Sequence, residues 1–330
     1  MQTPQLSPSP EPIVNVAIGY MAAKQLFAAS RVGLFTALHA GPATVPELAE
    51  ATGVSVRIAR ILADAMAGIG LITRADHQYS LTPAAAEYLT GKHAGLDLAP
   101  FLKFLNEISY GHWLQFDATV DSSQPGKLAM DEARWATFLG GVMTYNALHA
   151  KLLVQGVDFT GFGTVLDLGG LSSAFSIEAM LVNPKLEVTF LFDPQMIGSV
   201  SEALHEAGLA ERATVIGVPT VEAEPAGQFD LVMVNHVVHR FDAEQNLAIL
   251  RRARSAAAAG GRLLLLDFFL DDDPQQRAID ALHAGEYFVI DGTVVYPEQE
   301  VRDWLASAGW SVVDKVALAG SPRVLVAEAV

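Results

Sequence analysis

The stretch at residues 164–176 constrains the fold of this chain more than any other. It reads Thr-Val-Leu-Asp-Leu-Gly-Gly-Leu-Ser-Ser-Ala-Phe-Ser, which predicts a buried strand, a tight glycine turn and the start of a helix. The acid Asp193 follows about 20 residues beyond the turn, at the end of the apolar run 188–192. In α/β folds this arrangement holds a nucleoside cofactor, because backbone amides approach the ligand and the acid binds the ribose hydroxyls. The glycine run ends at Gly170, earlier than in a full Gly-x-Gly-x-Gly turn.

Short apolar runs alternate with helical segments through the second half of the chain. These runs are residues 165–167, 188–192, 213–216, 231–235 and 262–267. Because they are almost continuously apolar, they predict a parallel sheet covered by helices on both faces, which is a Rossmann-like doubly wound α/β fold. Two final runs, 310–313 and 323–327, are expected to close the sheet as an antiparallel pair. Ligands of such sheets bind at the carboxyl ends of the strands, which here carry Asp167, Gly169, Asp193, Asn235, His236 and Asp267.

The first half of the chain has a different, helical pattern. Residues 44–47 can form a capping box at a helix start, a second helix is predicted over 56–69, and 70–82 resembles a two-stranded wing. Such a winged-helix unit often binds DNA. Its presumed recognition helix carries only Arg57 and Arg60 as cations, so a dimerisation role is favoured. We therefore predict three segments: a disordered N-terminus (1–12), a helical winged-helix dimerisation domain (13–155) and a Rossmann-like catalytic domain (156–330).

The charge balance and the absence of cysteine exclude several classes of function. The chain has 37 acidic against 21 basic residues and a formal charge of −16, so nucleic acid and anionic membranes are not expected as partners. Without cysteine there are no disulfides, thiolate metal sites or cysteine nucleophiles. Neither a signal peptide nor a membrane-spanning run is evident, and the expected location is the cytoplasm.

Two histidines close to a predicted strand end are candidates for acid–base chemistry. His236 and His239 follow the run 231–235, and imidazole titrates near neutral pH, so either is a candidate general base, although a structural role is equally open for each. Asp267 ends the next run, where it can orient a histidine or simply cap a loop. The spacing of these residues matches no specific metal site, and no metal is predicted.

Aromatic residues and a methionine in the helical region are candidates for contact with a substrate. Trp113, Met143 and Tyr145 can line a pocket or pack in the core, and core packing is the commoner role. The pair Gly140-Gly141 lies inside a helical pattern, where glycine is costly unless something packs closely against it. This pair favours a ligand near Met143 and Tyr145.

The motifs together resemble bacterial S-adenosylmethionine-dependent O-methyltransferases of small molecules, relatives of the plant caffeate-type enzymes with an N-terminal winged-helix dimerisation domain. The resemblance covers residues 14–328. The motifs that carry it are Val165-Leu-Asp-Leu-Gly-Gly, Phe192-Asp, Phe229-Asp-Leu-Val-Met-Val-Asn-His-Val-Val-His, Gly260-Gly-Arg-Leu-Leu-Leu-Leu-Asp, Val295-Tyr-Pro-Glu-Gln-Glu-Val-Arg-Asp-Trp and Ala308-Gly.

This resemblance implies a class I methyltransferase fold, a homodimer, S-adenosyl-L-methionine as cofactor and a set of site residues. His239 is then the general base and Asp267 the acid beside it. The cofactor contacts are expected from Asp167, Gly169, Gly170, Asp193, Val218 and Asn235. The substrate contacts are expected from Trp113, Met143, Tyr145 and His236, with Met143 near the site of methyl transfer.

Four departures from the family pattern affect these expectations. The glycine turn continues as Leu171-Ser-Ser-Ala, and Val218 follows Gly217 where the family usually has an aspartate near the adenine. The usual His-Asp-Trp reads His239-Arg-Phe, and Val295 stands near the second flanking acid of the plant enzymes. The loss of an adenine-side carboxylate costs about 1–3 kcal/mol if its hydrogen bond is not replaced.

Three hypotheses follow, in decreasing order of support. The first is methyl transfer to a small molecule, with a hydroxyl acceptor favoured and thioether S-methylation, as in dimethylsulfoniopropionate synthesis, as a minority form. The second is a different reaction on the same scaffold (cyclisation, decarboxylation or hydroxylation), which the altered glycine turn keeps open. The third is a non-enzymatic dimeric binding protein, which only the winged helix supports.

Overall fold

A computed structural model describes residues 8–92, 95–271 and 276–330 of the chain. Contacts between backbone positions divide the chain into two compact units. The first comprises Met1–Tyr110 and Met130–Thr144, and the second comprises Gly111–Ala129 and Tyr145–Val330. The predicted boundary after residue 155 falls close to the end of a long helix, Glu132–Gly156, and it stays a prediction.

The first unit contains a small sheet and several helices. Its helices are α1 (Glu11–Arg31), α2 (Leu34–Leu38), α3 (Val45–Thr52), α4 (Val56–Gly68), α5 (Pro83–Tyr88) and α6 (Ala99–Phe104). Its antiparallel strands are β1 (Ala43–Thr44), β2 (Ile72–Ala75) and β3 (Gln78–Leu81), paired in the order β1-β3-β2. Thr44 and Glu47 form the predicted capping box at the start of α3. The β2–β3 hairpin is the predicted wing.

The predicted disordered N-terminus lies mostly outside the described residues, which begin at residue 8. Its last two residues, Glu11 and Pro12, already belong to α1 and contradict that prediction. Proline is well tolerated in the first turn of a helix, because the N–H that it lacks has no partner there.

Three short helical segments and one long helix follow α6 in the chain. A π-helical turn, Leu105–Ser109, continues α6. The next helices are α7 (Tyr110–Trp113), α8 (Phe116–Ser122) and α9 (Glu132–Gly156). Within the first unit, Gly141 of α9 packs closely on Phe104, since a Cβ at that position would lie 2.1 Å from the Phe104 Cβ. No atom lies within 4 Å of a Cβ built at Gly140. The glycine pair therefore marks helix packing at Gly141, and the predicted link to a ligand is not needed to explain it.

The second unit is built on a seven-stranded sheet. Its strands are β4 (Thr164–Leu168), β5 (Glu187–Phe192), β6 (Ala213–Gly217), β7 (Phe229–Asn235), β8 (Ala257–Asp267), β9 (Trp310–Ala317) and β10 (Arg323–Ala329). They pair in the order β6-β5-β4-β7-β8-β10-β9. All pairs are parallel except those of β10, which runs antiparallel to both β8 and β9, as predicted.

Helices cover both faces of this sheet. The helices after β4 are α10 (Ala174–Val182), α11 (Ile197–Glu206), α12 (Ala243–Ser255), α13 (Ala278–Asp291) and α14 (Glu298–Ser307). Buried residues of α10 and α11 and of the end of α9 form one core with the sheet, and α12 and α14 form the other. The predicted doubly wound fold is therefore confirmed. The order of the strands reverses between β4 and β7, which is where such sheets bind their ligands.

Among the described residues, no helix combines the length and the apolar character that crossing a bilayer requires.

Candidate active site

The turn after β4 is a close-fitting cradle that only glycine can form. Gly169 has a φ of 75°, and a Cβ there would lie 2.4 Å from the Thr220 side chain. A Cβ at Gly170 would meet the Phe192 ring at 3.2 Å. The Gly169 N–H donates to the Leu191 carbonyl at 2.9 Å, which holds the turn against the end of β5. Glycine at these two positions therefore lets Thr220 and Phe192 pack directly against the backbone at the end of β4.

Buried polar atoms without partners lie at the ends of β4 and β7. Asp167 accepts a hydrogen bond from the Ser176 hydroxyl at 2.6 Å through one oxygen, and its other oxygen has no partner among the described residues. Burial raises the pKa of Asp167 to about 7. Asn235 is 1% exposed, and neither its side-chain oxygen nor its nitrogen has a partner among the described residues. Such atoms are costly to bury unless a polar ligand satisfies them.

Two further predicted cofactor residues lie at the ends of β5 and β6. Asp193 is partly exposed, and one oxygen of its carboxylate accepts a hydrogen bond from the Gln195 N–H at 3.3 Å, which caps the short helix after β5. A second carboxylate oxygen remains for a ligand. The Val218 N–H donates to the Phe192 carbonyl at 2.8 Å and fixes the segment after β6 beside β5.

A histidine and an aspartate at the ends of β7 and β8 form a hydrogen-bonded pair. His239 Nδ1 lies 2.9 Å and 3.1 Å from the two carboxylate oxygens of Asp267. Asp267 is fully buried and also accepts from the Phe268 N–H at 2.9 Å. Burial alone would raise the pKa of Asp267, but His239 and, less strongly, His236 hold it below its ordinary value. An ionised Asp267 keeps the proton of His239 on Nδ1, so Nε2 carries the lone pair that a general base needs.

His236, predicted as a substrate contact, is engaged with other protein groups. It adopts a left-handed backbone conformation with a φ of 53°. Its Nε2 lies 2.9 Å from His149 Nδ1, and its Nδ1 lies 3.8 Å from Asp267 Oδ1. Burial lowers the pKa of His236 to about 4 and that of His149 well below its ordinary value. Both rings are therefore neutral near pH 7, and neither is suited to hold a proton taken from a substrate.

The ligand atoms of His236, His239 and Asp267 lie within 4.8 Å of one another, a spacing that a metal ion also requires. The hydrogen bond between His239 and Asp267 accounts for the closest of these approaches. The prediction that the protein uses no metal stays a prediction.

Aromatic rings surround the pair of His239 and Asp267. The Tyr287 ring centroid lies 4.6 Å from that of His239, and Phe268 stacks on His283 at 3.8 Å. Tyr145, a predicted substrate contact, packs on His149 at 4.0 Å. Its hydroxyl lies 3.3 Å from His283 Nε2. The pair therefore lies against a cluster of mutually packed rings of Tyr145, His149, Phe268, His283 and Tyr287.

The other two predicted substrate residues are placed differently. The Trp113 indole N–H donates to Glu286 at 2.5 Å, one residue before Tyr287 on α13. Trp113 is thus held against α13, and its contact with a substrate stays a prediction. Met143 belongs to the first compact unit, and its role near methyl transfer stays a prediction.

Comparisons with known proteins agree with this geometry. The family model of the O-methyltransferase domain matches residues 106–311, and that of the O-methyltransferase dimerisation domain matches residues 14–91. The 3-hydroxy-5-methyl-1-naphthoate 3-O-methyltransferase of Streptomyces sahachiroi is 30% identical over 96% of this chain and 94% of its own. The chain belongs to the O-methyltransferase family.

Solved structures give the same fold for this methyltransferase. The S-adenosylmethionine-dependent methyltransferase SibL in its apo form matches with a TM-score of 0.82 and 27% identity, over 97% of this chain and 99% of that one. Human N-acetylserotonin methyltransferase in complex with S-adenosylmethionine matches with a TM-score of 0.79 and 19% identity, over 99% of both chains. Membership of this family makes S-adenosylmethionine the cofactor of this methyltransferase.

The residues at the ends of β4 and β7 fit this cofactor. The unpartnered oxygen of Asp167 and the amide of Asn235 offer polar partners to it, and the bare backbone of Gly169 and Gly170 follows directly after β4. The departure at Leu171-Ser-Ser-Ala begins after Gly169 and Gly170 and leaves their close approaches to Thr220 and Phe192 in place.

Sequence reasoning missed several residues around the pair in this methyltransferase. His149, His283 and Tyr287 were not singled out, although each contacts another member of the cluster. A signal for them exists in the spacing of Tyr145 with His149 and of His283 with Tyr287. Both pairs are four residues apart on a helix, which places their rings on one face.

Proposed function

We propose that this enzyme transfers the methyl group of S-adenosylmethionine to a hydroxyl of a small aromatic molecule. The observation that carries the proposal is the hydrogen bond between Asp267 and His239 Nδ1, which leaves His239 Nε2 as the base. The aromatic walls around the pair, from Tyr287 and Phe268, suit a flat acceptor. The similarity to a naphthoate O-methyltransferase supports the same acceptor class.

In this mechanism the protein mainly positions the reactants. The cofactor, when bound, supplies an electrophilic methyl group on a sulfonium. His239 removes the acceptor hydroxyl proton, and the buried Asp267 carboxylate stabilises the resulting imidazolium. The surrounding rings exclude water and align the acceptor, which accounts for much of the rate enhancement of such a transfer.

The cofactor is held, on this proposal, by the residues at the strand ends. Gly169 and Gly170 lie along its methionine part, and Asp193 accepts hydrogen bonds from the ribose hydroxyls. The unpartnered side-chain atoms of Asp167 and Asn235 form hydrogen bonds with the polar groups of the cofactor. Val218 packs beside the adenine and offers no carboxylate there, so the adenine is held by shape and backbone contacts.

The alternative acceptors and reactions have less support. A thioether acceptor needs no base, so an intact pair of His239 and Asp267 favours the hydroxyl. Neither the family nor its reported neighbours supports a cyclase, decarboxylase or hydroxylase. We also propose that the enzyme is a homodimer through its dimerisation domain, and the cytoplasmic location stays a prediction.

The substitution His239→Ala tests the acceptor chemistry. With hydroxynaphthoic acids and simple phenols as trial acceptors, we expect kcat to fall by about 10²- to 10⁴-fold, the usual contribution of general base catalysis. The affinity for S-adenosylhomocysteine, measured by calorimetry, should stay within about twofold, because cofactor binding does not use this base.

The matched control is His205→Ala, which removes an exposed histidine of α11 and should leave both quantities unchanged. Full activity of His239→Ala on a hydroxyl acceptor would remove His239 as the base. Methyl transfer to thioethers but to no phenol would overturn the choice of acceptor.

A further inference from the structure

Arg240 lies in the cofactor crevice. It follows His239 directly, at the position where the family usually has an aspartate. Arg240 ends a short 3-10 helix, Val238–Arg240, directly after His239. Its Nη1 donates to the Gly169 carbonyl at 2.8 Å, which ties the guanidinium to the turn after β4. The side chain is largely buried although the residue as a whole keeps some exposure.

Within the described part of the chain, this guanidinium contacts the Gly169 carbonyl and the Phe241 ring, whose centroid lies 5.2 Å from Cζ, but no carboxylate. Among the described residues, no ion pair includes Arg240, and its bond to Gly169 uses one of five N–H groups. Burial lowers the pKa of Arg240, and the fields of Asp193 and Asp267 partly offset that effect. Arginine nevertheless stays protonated in proteins, so the crevice holds a poorly hydrated cation. Such a cation is costly unless an anion pairs with it.

The cofactor carries one anionic group that matches these constraints. Its methionine part has a carboxylate beside an ammonium, and the turn at Gly169 and Gly170 is where that part is proposed to lie. A guanidinium binds a carboxylate through two parallel N–H groups, a geometry that lysine cannot offer. The Gly169 carbonyl has two lone pairs, so it can accept from Arg240 and from the ammonium together.

We propose that Arg240 binds the α-carboxylate of S-adenosylmethionine and so selects for a cofactor that carries one. Asp167 and the Gly169 carbonyl then face the ammonium. The residues around the turn thus bind both charged groups of the aminocarboxylate. This inference rests on the established cofactor and on the proposed position of its methionine part. It does not depend on which acceptor is methylated.

Calorimetric titration tests the proposal without turnover. The ligands are S-adenosylhomocysteine and its decarboxylated analogue, which keeps the ammonium but lacks the carboxylate. We expect the unchanged enzyme to bind the analogue at least about tenfold more weakly, the usual effect of losing a hydrogen bond to a charged group. In Arg240→Gln, S-adenosylhomocysteine should bind about ten- to a hundredfold more weakly, while the analogue changes by less than about threefold.

Two controls separate a ligand contact from a structural role. Arg57→Gln, an exposed arginine of α4, should leave both affinities unchanged. Arg240→Lys keeps the charge but loses the paired N–H groups, and it should restore only part of the affinity for S-adenosylhomocysteine.

Three outcomes would overturn the proposal. Unchanged or tighter binding of S-adenosylhomocysteine by Arg240→Gln would mean that the guanidinium serves another group or obstructs the crevice. Equal weakening of both ligands would indicate a structural role at the turn. If Arg240→Gln fails to fold, equal binding of the two ligands by the unchanged enzyme would overturn the proposal by itself. Failure of the proposed acceptor chemistry would affect none of these titrations.

Discussion

At the scale of single residues, burial decides which histidine can act as a base. His236 and His149 are held neutral by desolvation and bond to each other. His239 lies between the ionised Asp267 and the Tyr287 ring and is partly accessible, with a side-chain exposure of 13%. Asp267 lies near both rings, but desolvation outweighs its field at His236, whereas His239 is hydrogen-bonded to Asp267 and keeps some exposure.

The unpartnered oxygen of Asp167 predicts a pH-dependent stability. Its pKa is about 7 in the folded chain, above its ordinary value of 3.8, so folding favours the protonated form. The contribution of this carboxyl is therefore fully present below about pH 4 and is lost as the pH rises through about 7. Between pH 4 and pH 8 we expect the melting temperature of the unchanged enzyme to fall more than that of Asp167→Asn. The difference corresponds to a loss of at most a few kcal/mol in the free energy of unfolding.

Thermal unfolding of the two proteins across this range, without ligand, is the measurement. Asp303→Asn, which removes an exposed carboxylate of α14, is the control and should leave the pH trend unchanged. Parallel curves for the unchanged enzyme and Asp167→Asn would contradict the prediction.

The sequence predicts that His239 and Asp267 lie close together, but it does not predict which side chains surround them. His239 and Asp267 follow predicted strands, and parallel strands bring their carboxyl ends together, so the proximity of these residues follows from the pattern. The bond of His236 to His149 does not follow, because it joins residues 87 positions apart on a strand end and a helix. The position of the Arg240 guanidinium is likewise set by tertiary packing.

At the scale of elements, the helix α9 shows how one glycine can be essential and its neighbour dispensable. A Cβ at Gly141 would overlap the Phe104 side chain, whereas a Cβ at Gly140 meets open space. Glycine inside a helix costs about 0.5–1 kcal/mol relative to alanine. Close packing on α6 is what offsets this cost at Gly141.

The two alanine substitutions are therefore expected to have opposite effects. Gly140→Ala should stabilise the enzyme by about 0.5–1 kcal/mol, because alanine restricts the unfolded chain and is the better helix former. Gly141→Ala should destabilise it by about 1–3 kcal/mol, because Phe104 or the helix backbone has to shift. Urea unfolding of both variants is the measurement, and equal changes of the same sign would contradict this account.

The strands were easier to predict than the helices for a physical reason. A strand covered on both faces needs an almost unbroken apolar run, and such a run stands out in the printed sequence, as at residues 262–267. The π-helical turn Leu105–Ser109 has no comparable signal, because it depends on how α6 and its neighbours pack.

At the scale of the whole molecule, the outer face of α1 is unusually apolar. Ile13 is 76% exposed, Val16 is 83% exposed and Tyr20 is 55% exposed, and their spacing puts them along one side of the helix. A contiguous exposed apolar face is a mark of an interface. Together with the matched dimerisation domain, it supports a homodimer in which α1 is covered.

A charge on this face should dissociate the proposed dimer. We expect the unchanged enzyme to sediment as a dimer at micromolar concentration and Val16→Glu to sediment as a monomer, because the buried carboxylate would lack a partner. Val120→Glu, the same change at an exposed position of α8, should stay dimeric. A monomeric unchanged enzyme, or a dimeric Val16→Glu variant, would contradict the assignment of this surface.

The position of β10 has a consequence for how the enzyme is made. Strand β10 lies between β8 and β9 in the sheet, although it follows both in the chain. Because the ribosome makes the chain from its N-terminus, one edge of β8 has no hydrogen-bonding partner until residues 323–329 have emerged. An apolar strand with an open edge pairs readily with other chains. Until β10 is made, the open edge of β8 is therefore a place where a nascent chain can pair with another copy instead of with its own β10.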